Sequence, residues 1–524
     1  MRCFNRQIKL CLNFSLTAEI KKFFFLSQRT ATRNCFKVQS SYFLTGVVVL
    51  KKYDLIVIGT GSGMELANAF LQGNHNSKIA VIDKDEPGGI CLTKGCIPSK
   101  LLIYPADVVR IIQKAEKFGI HVEINKIDQE YVLERMRSLI NKDINMIRNG
   151  LKQTENVDYY TTTAEFVSPY TLKVGHETIT SKMFFLSIGS RPSIPNMEGL
   201  EETGYLTSDT ILKLKHLPNS IAIIGGGYIA AEYGHFLSGM GCKVTIIGRN
   251  KQFIPEEEPE ISSLVKRELQ KRLTILTGHD VRKTQKTSDG KKKITATNTE
   301  NKKEIEIVAE ELFVAVGRKS NAALLHPEKA GIKTDEKGFI SVNDFLETTQ
   351  PNIWAMGDAN GKYMFKHVAN YESQIVYYNA ILKNKTSVDY HAIPHAVFTE
   401  PEIASVGLKQ YEAIEKYGKD NVLIGFHKYA DTAKGEAMAL EDEFVKVLLE
   451  RNTGKILGAH IIGPQASVLI QEIINLMYTS DQSSEPLNNA MHIHPSLSEV
   501  VSNAFRSLMT TEQYHHVLHE HMNL

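Results

Sequence analysis

Two cysteines, Cys91 and Cys96, stand five residues apart in the run Gly88-Gly89-Ile90-Cys91-Leu92-Thr93-Lys94-Gly95-Cys96-Ile97-Pro98-Ser99-Lys100. In a regular α-helix that spacing gives a rise of about 7.5 Å and points the side chains at different faces. A disulfide wants its Cα atoms about 4.4–6.8 Å apart. A bonded pair therefore requires a distorted turn, for which Gly95 supplies backbone freedom. A structural disulfide here would close only a short loop and constrain little of the unfolded chain. As half of a zinc site the pair lacks a second Cys-x-x-Cys or a nearby His. Two unrelated buried thiols are a third bland reading. The chemistry that fits best is a dithiol that opens and closes, exchanging electrons with another disulfide.

Thiol–disulfide exchange needs a thiolate and a group to take its proton. Far along the chain lies the run Met491-His492-Ile493-His494-Pro495-Ser496-Leu497-Ser498-Glu499, and histidine is a side chain suited to take a proton near neutral pH. Pro495 fits a helix N1 position, leaving His494 just before the helix start. By itself His494 would read as a satisfied surface histidine, and His492 still does.

These groups must be positioned by larger elements. Tyr53 to Ile58 reads as a buried parallel strand, running into Gly59-Thr60-Gly61-Ser62-Gly63-Met64, a helix to about Leu71, and a strand Lys78 to Ile82 that ends at Asp83. Such a turn lets backbone approach a pyrophosphate at a helix N-terminus, while the acid binds a ribose hydroxyl. Met64 stands where a small residue is usual. A helix follows from about Lys100 to Phe118, then one with Val132, Met136, Ile140, Ile144, Ile147 and Leu151 at steps of three and four, most simply core. A second unit opens with the strand Ser220–Ile224, then Gly225-Gly226-Gly227-Tyr228-Ile229-Ala230-Ala231-Glu232, a helix and a strand Lys243–Ile247, closing with Leu312 to Val316 and Gly317. The first glycines of the two turns are 166 residues apart. Two such units suggest two bound dinucleotides.

Together with Trp354-Ala355-Met356-Gly357-Asp358, these motifs resemble, over about residues 53 to 510, the class I pyridine-nucleotide disulfide oxidoreductases. The resemblance implies an α/β fold of two Rossmann-like domains, one for FAD and one for NAD or NADP, plus a C-terminal α+β dimerisation domain. The implied boundaries are a FAD domain with the redox pair at 51–196, a nucleotide domain at 197–318, a central domain at 319–392 and a dimerisation domain at 393–510. It assigns Cys91 to exchange with substrate and Cys96 to face the flavin. Lys100 and Glu232 form an ion pair near flavin N5, Tyr228 shields the nicotinamide pocket, and Asp358 holds the ribityl chain. His494 and Glu499 become an acid–base couple donated across a homodimer interface. Cofactor contacts are further implied for Gly59, Gly61, Ser62, Gly63, Asp83, Ala164 and Gly189 in the first unit, and for Gly225, Gly227, Ile229, Arg249 and Gly317 in the second.

Cys-Ile-Pro-Ser-Lys resembles dihydrolipoyl dehydrogenase more than glutathione reductase, and the reading taken is a dihydrolipoyl dehydrogenase, which oxidises dihydrolipoamide through the cysteine pair and FAD to NAD⁺, of the archaeal type that shares features with mycothione reductase. Thr93-Lys94 departs from the usual Asn-Val. The lack of any Cys after Cys242 argues against mercuric reductase and the large thioredoxin reductases. One feature pulls elsewhere. NAD-linked members end the second strand of the nucleotide unit with an acid, but Gly248 stands there and Arg249 follows, a change that favours a 2′-phosphate. An NADPH-dependent reductase of a small disulfide of the mycothione or glutathione kind is therefore the alternative. A flavin-binding structural component without turnover is a third reading, disfavoured by the intact Cys91, Cys96 and His494.

At 524 residues the chain holds more than one domain. Six cysteines in this length imply no disulfide scaffold and a reducing, cytoplasmic setting. The net charge of +2 conceals an asymmetry, for residues 1–52 carry ten Lys/Arg and the single acid Glu19, leaving 51 basic and 58 acidic residues elsewhere. A mildly acidic folded part argues against a nucleic-acid partner. Residues 1–50 resemble a transit peptide or a stretch added by a misplaced start; the apolar run Tyr42 to Leu50 is too short to span a membrane. The tail at 511–524 carries His515, His516, His519 and His521; an exposed polar helix is a simpler reading than a metal site, and no metal is expected. The substrate is a dithiol or disulfide, free or carried on a lipoyl domain.

Overall fold

A computed structural model of the protein describes residues 50–73 and 76–521. Apart from Leu50, the basic extension lies outside the described residues. The first glycine turn leaves a five-stranded parallel sheet in the order Ile353–Ala355, Phe184–Leu186, Leu55–Ile58, Ile79–Ile82, Val157–Tyr160. Leu55–Ile58 and Ile79–Ile82 are buried along their whole length, as their continuous apolar runs require of strands covered on both faces. The strand expected from Tyr53 is in fact two. Leu50–Tyr53 runs parallel to Glu177–Ser181 in a separate four-stranded sheet. The change of sheet comes at Asp54, whose carboxylate accepts the Lys78 N–H at 2.8 Å.

Helix α1 (Gly63–Gly73) follows the turn. The close packing expected at Met64 is met one residue earlier, where a Cβ on Gly63 would lie 2.4 Å from Ser187 Oγ. Met64 instead packs against the core beside Phe185 and Trp354. Helix α2 (Gly89–Thr93) and α3 (Cys96–Lys114) carry the cysteines, and α4 (Gln129–Gln153) buries Leu133, Met136, Ile140, Ile144 and Leu151. The second unit is a four-stranded parallel sheet, Thr274–Leu276, Lys243–Ile247, Ser220–Ile224, Glu311–Val314, with α5 (Tyr228–Gly239) after its turn and α6 (Pro259–Gln270) beyond. Its last strand ends at Val314, two residues before the expected Val316. Helix α7 (Lys366–Val376) returns the chain to the first unit. The C-terminal region is a six-stranded antiparallel sheet in the order Pro394–Val397, Ile403–Gly407, Ile456–Ile462, Phe444–Glu450, Val422–Lys428, Leu508–Met509. Helices α8 (Ala466–Met477) and α9 (Ser498–Arg506) cover it through Ile470, Ile473, Val500 and Phe505.

One buried polar cluster ties the second unit to this C-terminal sheet. Lys446, fully buried in Phe444–Glu450, pairs with Glu260 of α6 and lies 3.4 Å from Glu258. It also donates to Gln410 Oε1 at 2.8 Å. Helix α10 (Thr511–His521) docks here, for Tyr514 is buried and donates to Glu260 Oε1 at 2.6 Å. The tail is therefore anchored rather than simply exposed. Removing one partner of a buried ion pair strands the other charge. Lys446→Met should cost about 3–5 kcal/mol, read as a lower urea midpoint; an unchanged midpoint would mean the cluster carries no net stability.

Candidate active site

The cysteine segment is two helical pieces separated by a break. Helix α2 ends at Lys94 (φ −145°) and α3 begins after Gly95 (φ −124°, ψ −117°). A Cβ on Gly95 would sit 3.0 Å from Ile90 O and 3.3 Å from the Cys91 Cα, so the residue is small because the two pieces fold onto each other. Both cysteines are free thiols. The Cys91 S–H donates to the Cys96 sulfur, which drives the two pKa values apart. Cys91 is raised by that hydrogen bond and by burial. Cys96 is lowered to about 7 by the same bond, burial opposing and the nearby Lys100 charge assisting. Of the two, Cys96 is the sulfur that ionises first, through neutral pH, and Cys91 is the one that keeps its proton.

Around the pair lies a cavity of about 1070 Å³. At one end the first glycine turn meets Asp83, whose Oδ2 accepts the Thr60 N–H at 2.8 Å. Gly59 has φ +100°, and a Cβ there would strike Ser187 O at 2.1 Å; the turn is bare backbone facing the cavity. Gly61, Ser62, Ala164 and Gly189 line the same wall. At the other end Lys100 Nζ bonds Glu232 Oε2 at 2.8 Å and Oε1 at 2.9 Å. Glu232 is 5% exposed and also accepts the Phe398 N–H at 3.1 Å, while Lys100 lies over the Phe398 ring at 4.3 Å. Asp358 accepts from Ser190 Oγ, which takes an Arg318 N–H at 2.7 Å. Tyr228 and Ile229 complete this end, the Tyr228 hydroxyl pushed up to about 12 by burial. A long cavity with a glycine-backbone cradle at one end and two thiols in its middle suits FAD. Bound there, FAD supplies the two-electron relay between nucleotide and sulfur.

The model of the pyridine nucleotide-disulphide oxidoreductase family matches residues 53–373, and that of the family's dimerisation domain matches 393–505. The chain belongs to this family. Its cofactors are FAD and a pyridine nucleotide, and it is an α/β disulfide oxidoreductase with a C-terminal dimerisation domain. Mycothione reductase of Mycobacterium tuberculosis is 34% identical over 471 residues, 88% of this chain and 100% of that one. Dihydrolipoyl dehydrogenase of Synechocystis is 34% identical over 469 residues, 87% of this chain and 98% of that one. Among solved structures, the HOCl-induced flavoprotein disulfide reductase RclA of Escherichia coli superposes with a TM-score of 0.76 at 26% identity, covering 87% of this chain and 99% of that one.

The remaining expected residues fall outside the cavity. Gly225, Gly227, Arg249 and Gly317 sit at the turns and strand end of the second unit. His494 Nδ1 lies 2.9 Å from Glu499 Oε1, with its side chain 70% exposed. Glu499, its carboxyl held low first by that bond, also accepts the Ser496 N–H at 3.0 Å. Pro495 is not at a helix N1 position as expected; α9 starts at Ser498, just after Ser496, whose N–H the Glu499 carboxylate accepts as in a capping box. Sequence reasoning missed two cavity groups. His395, stacked on Phe365, reaches the buried Glu257 at 2.7 Å; burial would lower its pKa, but this bond and charge raise it overall. Lys366 opens α7 and donates to Ser62 Oγ at 3.0 Å. Neither lies in a recognisable sequence motif.

Alkylation of the reduced protein by iodoacetamide should modify Cys96 first, its rate rising through pH of about 7 as the thiolate forms. Cys91→Ala removes the donated hydrogen bond and should move that midpoint upward. A wild-type midpoint near the ordinary thiol value of about 8.5 would contradict the split pair.

Proposed function

We propose that this chain is an NADPH-dependent reductase of a small disulfide, working as a homodimer. Electrons pass from NADPH through FAD to the Cys91–Cys96 pair, and Cys91 exchanges with substrate. The observation that carries the coenzyme choice is the end of the strand Lys243–Ile247. Gly248 packs so close to the second glycine turn that a Cβ would sit 3.2 Å from the Gly226 Cα, so the acid that an NAD ribose calls for would have to push the turn aside by a few tenths of an ångström. Arg249 next to it is exposed and has no ion-pair partner among the described residues, which leaves its guanidinium free for a 2′-phosphate. The mycothione reductase relative supports the same reading.

In this reading Cys91, a thiol at neutral pH, loses its proton to His494 of a second copy, whose imidazolium Glu499 stabilises. Support comes from the exposure of His494, its position outside the cavity of its own chain, and its place among the bare apolar side chains Met491 and Ile493, 101% and 78% exposed. Dihydrolipoyl dehydrogenase, acting on a lipoyl-domain or free dithiol with NAD⁺, is the second reading, favoured by Cys96-Ile97-Pro98-Ser99-Lys100 and by the Synechocystis relative. No described helix is long and apolar enough to cross a membrane; a dithiol kept reduced by a pyridine nucleotide suits the cytoplasm.

Steady-state assays with NADPH plus a small disulfide, beside dihydrolipoamide plus NAD⁺, separate the two. The NADPH reaction should dominate, and strong dihydrolipoamide turnover with NAD⁺ would overturn the proposal. Arg249→Glu should lower the NADPH over NADH ratio of kcat/KM by about tenfold or more, the worth of one charge-assisted contact. An unchanged ratio would reduce Arg249 to a surface charge.

A further inference from the structure

The loop after the strand Pro394–Val397 meets both nucleotide units at Phe398 and again at Glu400. The Phe398 N–H donates to Glu232 Oε1 of α5 at 3.1 Å, and Lys100 Nζ of α3 sits over its ring, 4.3 Å from the centroid. The Glu400 carboxylate takes Lys114, in the last turn of α3, and Arg272, just beyond α6, the latter at 2.6 Å. Arg272 also donates to the Glu400 carbonyl. Between the two, Thr399 ties the loop to itself, its N–H reaching Val397 O at 3.0 Å and its hydroxyl Pro401 O at 2.6 Å. One short loop therefore grips α3 at both ends. A third cation lies close by. Arg110 of α3 is 5% exposed, and its hydrogen-bond partners among the described residues are neutral, Gln113 Oε1 at 2.6 Å and Ser238 Oγ at 3.1 Å. Arg272 repels it and Glu400 attracts it. One carboxylate thus holds three cations from two units together. Burial would raise the Glu400 carboxyl, but the charges and hydrogen bonds of Lys114 and Arg272 hold it down at about 2, so it stays ionised at working pH. None of Arg110, Lys114, Arg272 and Glu400 lines the cofactor cavity.

We propose that Glu400 is a positioning residue for the Cys96 thiolate, acting through Phe398 on the Lys100–Glu232 pair. Cys96 and Lys100 are four residues apart on α3 and so are neighbours on one helix face. Lys100 in turn bonds both carboxylate oxygens of Glu232. The titratable groups around Cys96 are Cys91, Lys100, Glu232 and Tyr228. The Phe398 N–H takes up part of the Glu232 charge, and its ring fixes the Lys100 ammonium. Both contacts tilt the pair toward the thiolate, and both depend on where residue 398 sits. Glu400, two residues on, sets that place. Without its charge, Arg110, Lys114 and Arg272 repel one another and the grip on the loop loosens. Glu232 then opposes the thiolate more, and Lys100 favours it less. The inference concerns the redox pair itself and holds for either coenzyme and either substrate.

The test follows iodoacetamide alkylation of Cys96 against pH in the full-length, FAD-loaded protein, reduced with dithionite and desalted, so that coenzyme choice has no bearing on it. Glu400→Gln should move the midpoint up by about half a pH unit, roughly a threefold loss of thiolate. The sign is diagnostic. Glu400 meets α3 at Lys114, whose Cα is about 27 Å along the helix from that of Cys96. Deleting a negative charge there acts directly in the other direction, lowering the midpoint, and in about 0.5 M salt that direct effect is screened. A midpoint that falls or stays, in a protein that keeps its flavin, would overturn the proposal and leave Glu400 as a tie between units. Arg272→Met loosens the same grip from the other side and serves if Glu400→Gln does not fold. Read in about 0.5 M salt, it too should raise the midpoint, and an unchanged value would overturn the proposal. Phe398→Leu keeps the N–H but removes the ring. In that background Glu400→Gln should shift the midpoint less than in wild type, and equal shifts would break the route through Phe398 and overturn the proposal. Failure of the split thiol pair would appear separately, in the midpoint of the wild type itself.

Discussion

One hydrogen bond sets the terms for the rest of the site. Cys91 donates to Cys96, so the two sulfurs do not share a protonation state. Cys96 is poised to ionise near neutral pH, and Cys91 holds its proton until a base removes it. That division gives Lys100 and Glu232 their purpose. Their pair joins α3 of the first unit to α5 of the second, and the two charges act on the Cys96 thiolate with opposite sign, Lys100 favouring it and Glu232 opposing it. It also explains why the exchange site needs groups from outside the cysteine segment, since nothing in that segment accepts the proton of Cys91.

The architecture keeps these groups apart until they are needed. Both glycine turns belong to parallel sheets whose strands are buried on both faces, a rigid frame for bare backbone at a cofactor's phosphates. The redox pair sits on neither sheet. It lies at a break between two helical pieces. The His494–Glu499 couple stands on a different domain, exposed and beside bare apolar residues.

Much of this was legible in the sequence because the responsible signals are local. Continuous apolar runs ending in glycine turns marked both dinucleotide units, and the cysteine spacing marked the redox segment. The stripe from Val132 to Leu151 emerged as α4 with its buried face nearly as read. What the sequence hid depends on contacts between distant segments. Leu50–Tyr53 joins a sheet through residues more than a hundred positions away, so periodicity cannot separate it from Leu55–Ile58. Pro495 looked like a helix start because Pro favours N1, but the helix begins at Ser498, where the Ser496–Glu499 contact caps it. Lys366 and His395 bear on the cavity only because α7 and the strand Pro394–Val397 fold back onto it. Their contacts there, Lys366 with Ser62 and His395 with Glu257, join segments far apart in the chain, and no spacing rule records that.

The central claim is that the thiol pair of one chain is completed by the His494–Glu499 couple of another. Mixed dimers of Cys91→Ser and His494→Ala subunits test it most directly. Each parent homodimer should be inactive in disulfide reduction. The mixed dimer should regain the activity of one site, because it combines an intact pair from one chain with an intact histidine from the other. Mixed dimers as inactive as their parents would contradict the account and return His494 to the cavity of its own chain.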